Sequence, residues 1–230
     1  DVKPGLLRRA YVAAEEGRGQ LLWLRPHSGL ARLRPRPKYI CFYEISFGKR
    51  AYVSRATAVE PSWLADASPA LTRLSPPLLE LPPLYDATKD VARCWQRPTY
   101  GAAQWQLPPV ARLPPENDGQ LRAALLGWAL CQGQVFRALK PFAAELGPRG
   151  RAACAPSAGG DRAAVALRSV LASQKMYTRG AICVRWASEP RFLLKEVAAL
   201  LPPTRRKALL EVWPALLAEA DKRQAPPKRR

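Results

Sequence analysis

The residue types that do acid–base, nucleophilic or metal chemistry are few in this chain and poorly spaced for it. There is a single histidine, His27, in the turn-like run Pro26-His27-Ser28-Gly29-Leu30. With no second imidazole and no partner set around it, it builds neither a catalytic triad nor a metal site. Five cysteines stand at 41, 94, 131, 154 and 183, with no C-x-x-C among them. That spacing does not suit zinc, and an odd, unpatterned set fits a reducing compartment. No Gly-rich phosphate loop of the form G-x-x-x-x-G-K-[ST] occurs, and no pair of carboxylates stands out from the rest. We therefore assign no catalytic residue, no metal ligand and no cofactor on this chain.

Positive charge is what the chain has in excess. Of its 230 residues, 37 are Lys or Arg and 18 are Asp or Glu, for a formal net charge of +19. Such a balance favours a polyanionic partner, with RNA or DNA first, through phosphate neutralisation and counterion release. A GC-rich coding bias also raises Arg, Ala, Pro and Leu, but it does not by itself deplete the acidic residues. No run approaches the ~18 apolar residues of a membrane span, so no membrane partner is expected.

The elements that must position any binding residues read as two different halves. Pro4 to Glu16 has helical spacing and ends at Gly17 and Gly19. Gln20–Leu24 reads as a strand. Leu30–Lys38 alternates Arg with Leu or Pro and is read either as a solvated loop or as an edge that tracks phosphates. Tyr39–Phe47 and Arg50–Val59 form a hairpin across Gly48-Lys49, a two-residue loop with Gly first. That register sets Phe47 against Arg50 and Ile45 against Tyr52. It also makes Glu44 and Arg55 diagonal neighbours, a surface ion pair. Pro61 opens a short helix in which Trp63 is expected to anchor the core. Ser75–Pro83 is an extended, polyproline-like connection. Lys89–Arg97 is a strand that would close a small barrel.

Beyond a Pro-rich stretch the pattern turns helical. Asn117 or Asp118 caps a helix that Gly133 ends, and Asp161 caps another. Gly147–Gly160 reads as a flexible surface loop. Ile182–Trp186 is a short apolar piece without a clear assignment. Pro190–Leu201 is amphipathic, and Thr204–Lys222 continues as a helix that Pro214 kinks or splits.

Lys38–Leu64 also resembles the long hairpin of the OB-fold in DEAH-box RNA helicases. The residues that carry the resemblance are Phe42, Glu44, Ile45, Arg50, Tyr52, Thr57, Trp63 and Leu64, with Gly48-Lys49 standing where that family has Thr-Thr. Tyr100, Gly101, Trp105, Leu107 and Pro108 are similar to its last strands. Leu130–Val135 and Phe192–Glu196 are similar to an appended helical domain of the subgroup that acts in the small-subunit processome. The resemblance implies an α+β chain. A helical lead-in over 1–19 comes from the helicase core. A small antiparallel OB-fold-like barrel follows over 20–108, then a Pro-rich linker over 109–117. A helical C-terminal domain covers 118–221, and a basic disordered tail 222–230.

It further implies the RNA-binding C-terminal portion of an ATP-dependent helicase in small ribosomal subunit biogenesis, located in the nucleus and nucleolus. ATP and Mg would belong to the parent protein. The partners implied are pre-rRNA or small nucleolar RNA, the helicase core of the same protein, and an activator protein. An OB strand face binds single strands through cations on phosphates and aromatics on bases. On that basis Lys38, Lys49, Arg50 and Arg55 are candidate phosphate contacts and Tyr52 a stacking candidate. Two alternatives stay open: a module that docks a protein, and a free-standing RNA-binding protein.

Overall fold

In a computed structural model, residues 10–13, 20–102, 104–154 and 161–222 are described. The basic tail and most of the expected lead-in helix lie outside them. The chain divides into two units, Asp1–Pro76 with Arg97–Val110, and Pro77–Gln96 with Ala111–Arg230. The architecture is mixed α and β, with eight α-helices and four small sheets among the described residues, none closed into a barrel.

The first unit is built on a four-stranded sheet in the order β1-β2-β5-β4, formed by Ala10–Val12, Leu21–Leu24, Ala51–Ser54 and Glu44–Phe47. Ala10–Val12 was expected to be helical. It is extended instead, pairing antiparallel with β2 through Ala10↔Trp23 and Val12↔Leu21. β2 runs parallel to β5, with Leu22↔Ala51 and Leu24↔Val53 in register. Those four side chains are buried, and they form a small core with Ile45, Tyr11, Phe42 and helix α1, Gly29–Arg32. A two-stranded ladder of β3, Ile40–Cys41, with β6, Thr57–Ala58, sits in the same unit. Helix α2, Pro61–Ala67, leads into β7, Thr72–Leu74, which pairs with β10, Pro98–Tyr100, and through it with β11, Trp105–Gln106.

The hairpin register differs from the sequence reading by one residue. Phe47 faces Ala51, Ser46 faces Tyr52 and Ile45 faces Val53. The connection is therefore three residues, Gly48-Lys49-Arg50, and Gly48 does not adopt the positive φ that a type II′ turn requires. Because side chains alternate with period two, this slip turns every β5 side chain to the opposite face. Ala51 and Val53 go inward, where Leu22 and Leu24 meet them. Tyr52 and Ser54 go outward.

The second unit holds the main core. The strand expected to close a barrel, observed as β9 (Val91–Gln96), lies here. It is the centre of a sheet with β8, Leu84–Asp86, and β12, Val110–Arg112. Residues 109–117, expected as a linker, thus contain a strand. β9 turns Ala92 and Cys94 onto helix α3, Gly119–Cys131, instead of onto a barrel interior. α3 is buried from Ala123 through Cys131, as a helix apolar on all sides must be. Its N-terminus is capped by Asp118, whose side chain accepts from the Leu121 N–H at 2.8 Å. It ends at Gly133, φ 67°, with Gln134 N–H bonded to Ala129 O and Gly133 N–H to Leu130 O. Those paired bonds are the Schellman arrangement that favours glycine.

A 3-10 segment, Arg137–Phe142, runs into α4, Ala143–Ala152. The stretch from Gly147 was read as a loop, yet Gly147 and Gly150 are buried in α4. A Cβ on Gly150 would lie 2.7 Å from the Cys131 Cβ, so the glycine permits the α3–α4 approach. α5, Arg162–Ser173, is capped by Asp161 as expected, and α6, Arg179–Ser188, accounts for the unassigned apolar piece. α7, Leu194–Leu200, and α8, Pro203–Lys222, complete the bundle. α8 runs as one helix through Pro214, which is exposed, so water can reach the carbonyl that the missing N–H leaves free.

Polar ties hold this unit's pieces in place. Asp90, in the β8–β9 turn, accepts from the N–H groups of Arg179 and Gly180 at 2.7 and 2.8 Å and from the Tyr85 hydroxyl. Glu219 accepts from the N–H groups of Arg137 and Ala138, both at 3.1 Å. Phe136, Trp186 and Trp213 form an aromatic stack, with the buried Arg179 over the Phe136 ring at 4.8 Å.

Candidate nucleic-acid interface

The outward face of the β1-β2-β5-β4 sheet is the best candidate surface in the first unit. Strand pairing places its side chains in rows. Ser46, Tyr52, Trp23 and Ala10 form one row across the strands. Glu44 lies opposite Ser54 in the next row, and Arg25 follows β2 beside them. On the far side of the aromatic row, the Arg50 guanidinium stands 5.5 Å from the Trp23 ring centroid, a cation–π contact. Two arginines thus flank two half-buried aromatic rings. Arg50, which directly precedes β5, and Ser54 are four positions apart, so the rows of the two arginines are roughly 13 Å apart.

The five candidate residues are not gathered in one place. Arg50 and Tyr52 meet on this outward face, with Tyr52 facing away from the core because of the register described above. Lys49 is exposed in the turn beside them. Arg55 has φ 51° and stacks over the Tyr43 ring at 5.5 Å. No Glu44–Arg55 ion pair forms among the described residues. Lys38 is exposed just before β3, away from the aromatic row in sequence. The alternating Arg stretch forms α1 and a turn in which Arg34 and Arg36 donate to the Ala31 carbonyl at 3.1 and 3.2 Å.

Sequence reasoning did not single out Trp23 or Arg25. Trp23 sits on β2 and Arg25 directly follows it, and the parallel pairing of β2 with β5 is long-range and leaves no local signal. Trp63 was expected to anchor the core; it is 58% exposed on α2. Tyr43 and Phe47, at 79% and 74%, are also exposed on the first unit.

Little else in the described residues suggests chemistry. No group of three or more His, Cys, Asp or Glu could hold a metal among them. No described helix is long and apolar enough to cross a membrane. Burial pushes the thiols of Cys131 and Cys154 up to about 12, far from a reactive thiolate.

No protein-family model matches the chain. Curated relatives do. The chain is 29% identical to an ATP-dependent RNA helicase of Arabidopsis thaliana, DEAH13, over 199 residues, which is 86% of this chain and 16% of that protein. It is 24% identical to the probable ATP-dependent RNA helicase kurz of Drosophila melanogaster over 82% of its length. It is 23% identical to the probable ATP-dependent RNA helicase DHX37 of Homo sapiens, again over 82%. The chain spans 16% of the length of each of these proteins. Its homologues, over about four fifths of its own length, are DEAH-box ATP-dependent RNA helicases.

Proposed function

We propose that this chain is the C-terminal RNA-binding portion of an ATP-dependent DEAH-box RNA helicase. The observation that carries the reading is similarity to four RNA helicases, each covering 78% or more of the chain. The net charge of +19 and the arginine-flanked aromatic row of the first unit support RNA as the partner. Cations neutralise phosphates, and the Trp23–Tyr52 row offers π-faces to unpaired bases. The first unit acts as an OB-like module in this proposal. ATP and Mg act elsewhere in the parent polypeptide. The setting is small ribosomal subunit assembly in the nucleolus, on pre-rRNA or small nucleolar RNA, as the resemblance to the processome subgroup implies.

A second reading has a specific observation behind it. Tyr43, Phe47 and Trp63 are large, apolar and exposed on the first unit, and a docked protein would remove them from water. The occupant is the helicase core of the same polypeptide, since the chain spans 16% of its relatives' length.

The test is binding of the purified chain to a labelled single-stranded RNA oligonucleotide across a salt series, with folding checked by circular dichroism. Tight binding that weakens steeply with salt, and falls on Lys49→Ala with Arg50→Ala, supports the RNA reading. A folded sample that fails to bind at low salt overturns it in favour of docking to the core.

A further inference from the structure

Arg25 is held in place by the fold and has no counter-charge among the described residues. Its Nε donates to Ser54 Oγ at 3.2 Å and its Nη2 to Ser46 Oγ at 2.7 Å. One guanidinium at the end of β2 therefore reaches across β5 to β4 on the outward face. Ser46 Oγ is itself fixed, donating to the Tyr52 carbonyl at 3.2 Å. The two serines occupy the side edge of the guanidinium, Nε and Nη2. Its end edge, Nη1 and the second Nη2 hydrogen, is the fork that matches a phosphate bidentately.

Among the described residues, other arginines are held by backbone carbonyls, as Arg168 is by Ala153 and Arg206 by Leu201, or by carboxylates. Arg93 pairs with Asp86, Arg149 with Asp161, Arg185 with Glu189 and Arg205 with Glu145. Arg25 is anchored by neutral hydroxyls, and its side chain is exposed. Glu44, opposite Ser54 on the same face, makes no ion pair with it among the described residues. Neutral hydroxyls fix the guanidinium without adding a negative charge that would repel a phosphate.

We propose that Arg25, positioned by Ser46 and Ser54, is a phosphodiester-binding residue of this face, its ligand the backbone of single-stranded RNA whose bases lie on the Trp23–Tyr52 row. This rests on the RNA-binding reading above and names the place where the contact is made.

The experiment measures affinity of the full chain for a single-stranded oligonucleotide across a salt series, together with the thermal midpoint. The variants are Arg25→Lys, Arg25→Ala, and Ser46→Ala with Ser54→Ala. Arg32→Ala, an exposed arginine on α1, is the control. Arg25→Ala is expected to weaken binding about tenfold and to reduce the salt slope by about 0.7, the loss of one phosphate contact on a single strand. Arg25→Lys keeps the charge but loses the fork, so affinity falls with the slope preserved. The double serine variant keeps the arginine but unpins it, and affinity falls by a few fold. Arg32→Ala stays within about twofold of the parent.

Wild-type chain that does not bind RNA removes the RNA reading and this proposal with it. RNA binding that is unchanged in Arg25→Ala, with only the thermal midpoint lowered, makes Arg25 a structural tie and overturns this proposal alone. Polyglutamate that binds as tightly as RNA and is equally weakened by Arg25→Lys assigns the site to an acidic protein and also overturns it.

Discussion

Replacing Gly133 by alanine is expected to destabilise the second unit by roughly 3 kcal/mol. Two costs add. Gly133 has φ 67°, a left-handed conformation that costs a residue with a Cβ about 1 kcal/mol. A Cβ there would also lie 2.6 Å from the Cα and 2.7 Å from the N of Lys140. Those are backbone atoms of the 3-10 segment that follows, and they cannot swing aside as a side-chain tip can. Overpacking of that kind costs about 1–3 kcal/mol. The assay is urea and thermal unfolding followed by the fluorescence of Trp128, Trp186 and Trp213, all buried in this unit. A fall in midpoint of roughly 10 °C is expected. Gly133→Asn separates the two costs, because asparagine tolerates the left-handed region but still carries the Cβ. Its midpoint should fall between those of the parent and the alanine variant. An alanine variant that unfolds within about a degree of the parent would refute both the Schellman ending and the contact with Lys140.

Two further outcomes follow from the geometry. Hydrogen bonding from Arg149, together with the Ala163 N–H, holds the Asp161 carboxyl below its ordinary value of 3.8. The folded chain therefore keeps this carboxylate charged where the unfolded chain would protonate it. The pair stabilises fully above the unfolded value, and the stability is lost as pH falls through the depressed folded value. Asp161→Asn should lower the midpoint near neutral pH and lose less on acidification between about pH 5 and about pH 2, so that the two curves converge. Cys41 is exposed, while Cys94, Cys131 and Cys183 are buried and the Cys154 thiol is pushed up by burial. Native alkylation near neutral pH should label Cys41 first, with the other four reacting after denaturation; fast native labelling of Cys131 would contradict the α3–α4 packing.

Helix ends were legible in the sequence because their chemistry is local. Asp118 and Asp161 announce N-termini through a side chain that reaches an N–H two or three residues on, and Gly133 announces a C-terminus through the φ it alone adopts cheaply. An apolar run likewise placed a strand near Leu21–Leu24, and aromatic and β-branched residues placed strands on both sides of Gly48. The positive charge that points to phosphate is composition and needs no fold.

The tertiary structure decided what alternation and composition leave degenerate. Hairpin register depends on whether Ala51 and Val53 or Tyr52 and Ser54 find an apolar partner, and that partner is β2, paired in parallel from some 29 residues away. Gly147 and Gly150 look like loop residues until α3 is seen to need the room they leave. Lys89–Arg97 looked like the closing strand of a barrel, since a strand's sequence states that it has a buried face but not which element covers it; here α3 does. Arg25 acquires its significance only from Ser46 and Ser54, 21 and 29 residues along the chain. Residue type and spacing fix what a segment can do locally, but which charges are left uncompensated depends on the side chains that folding brings beside them.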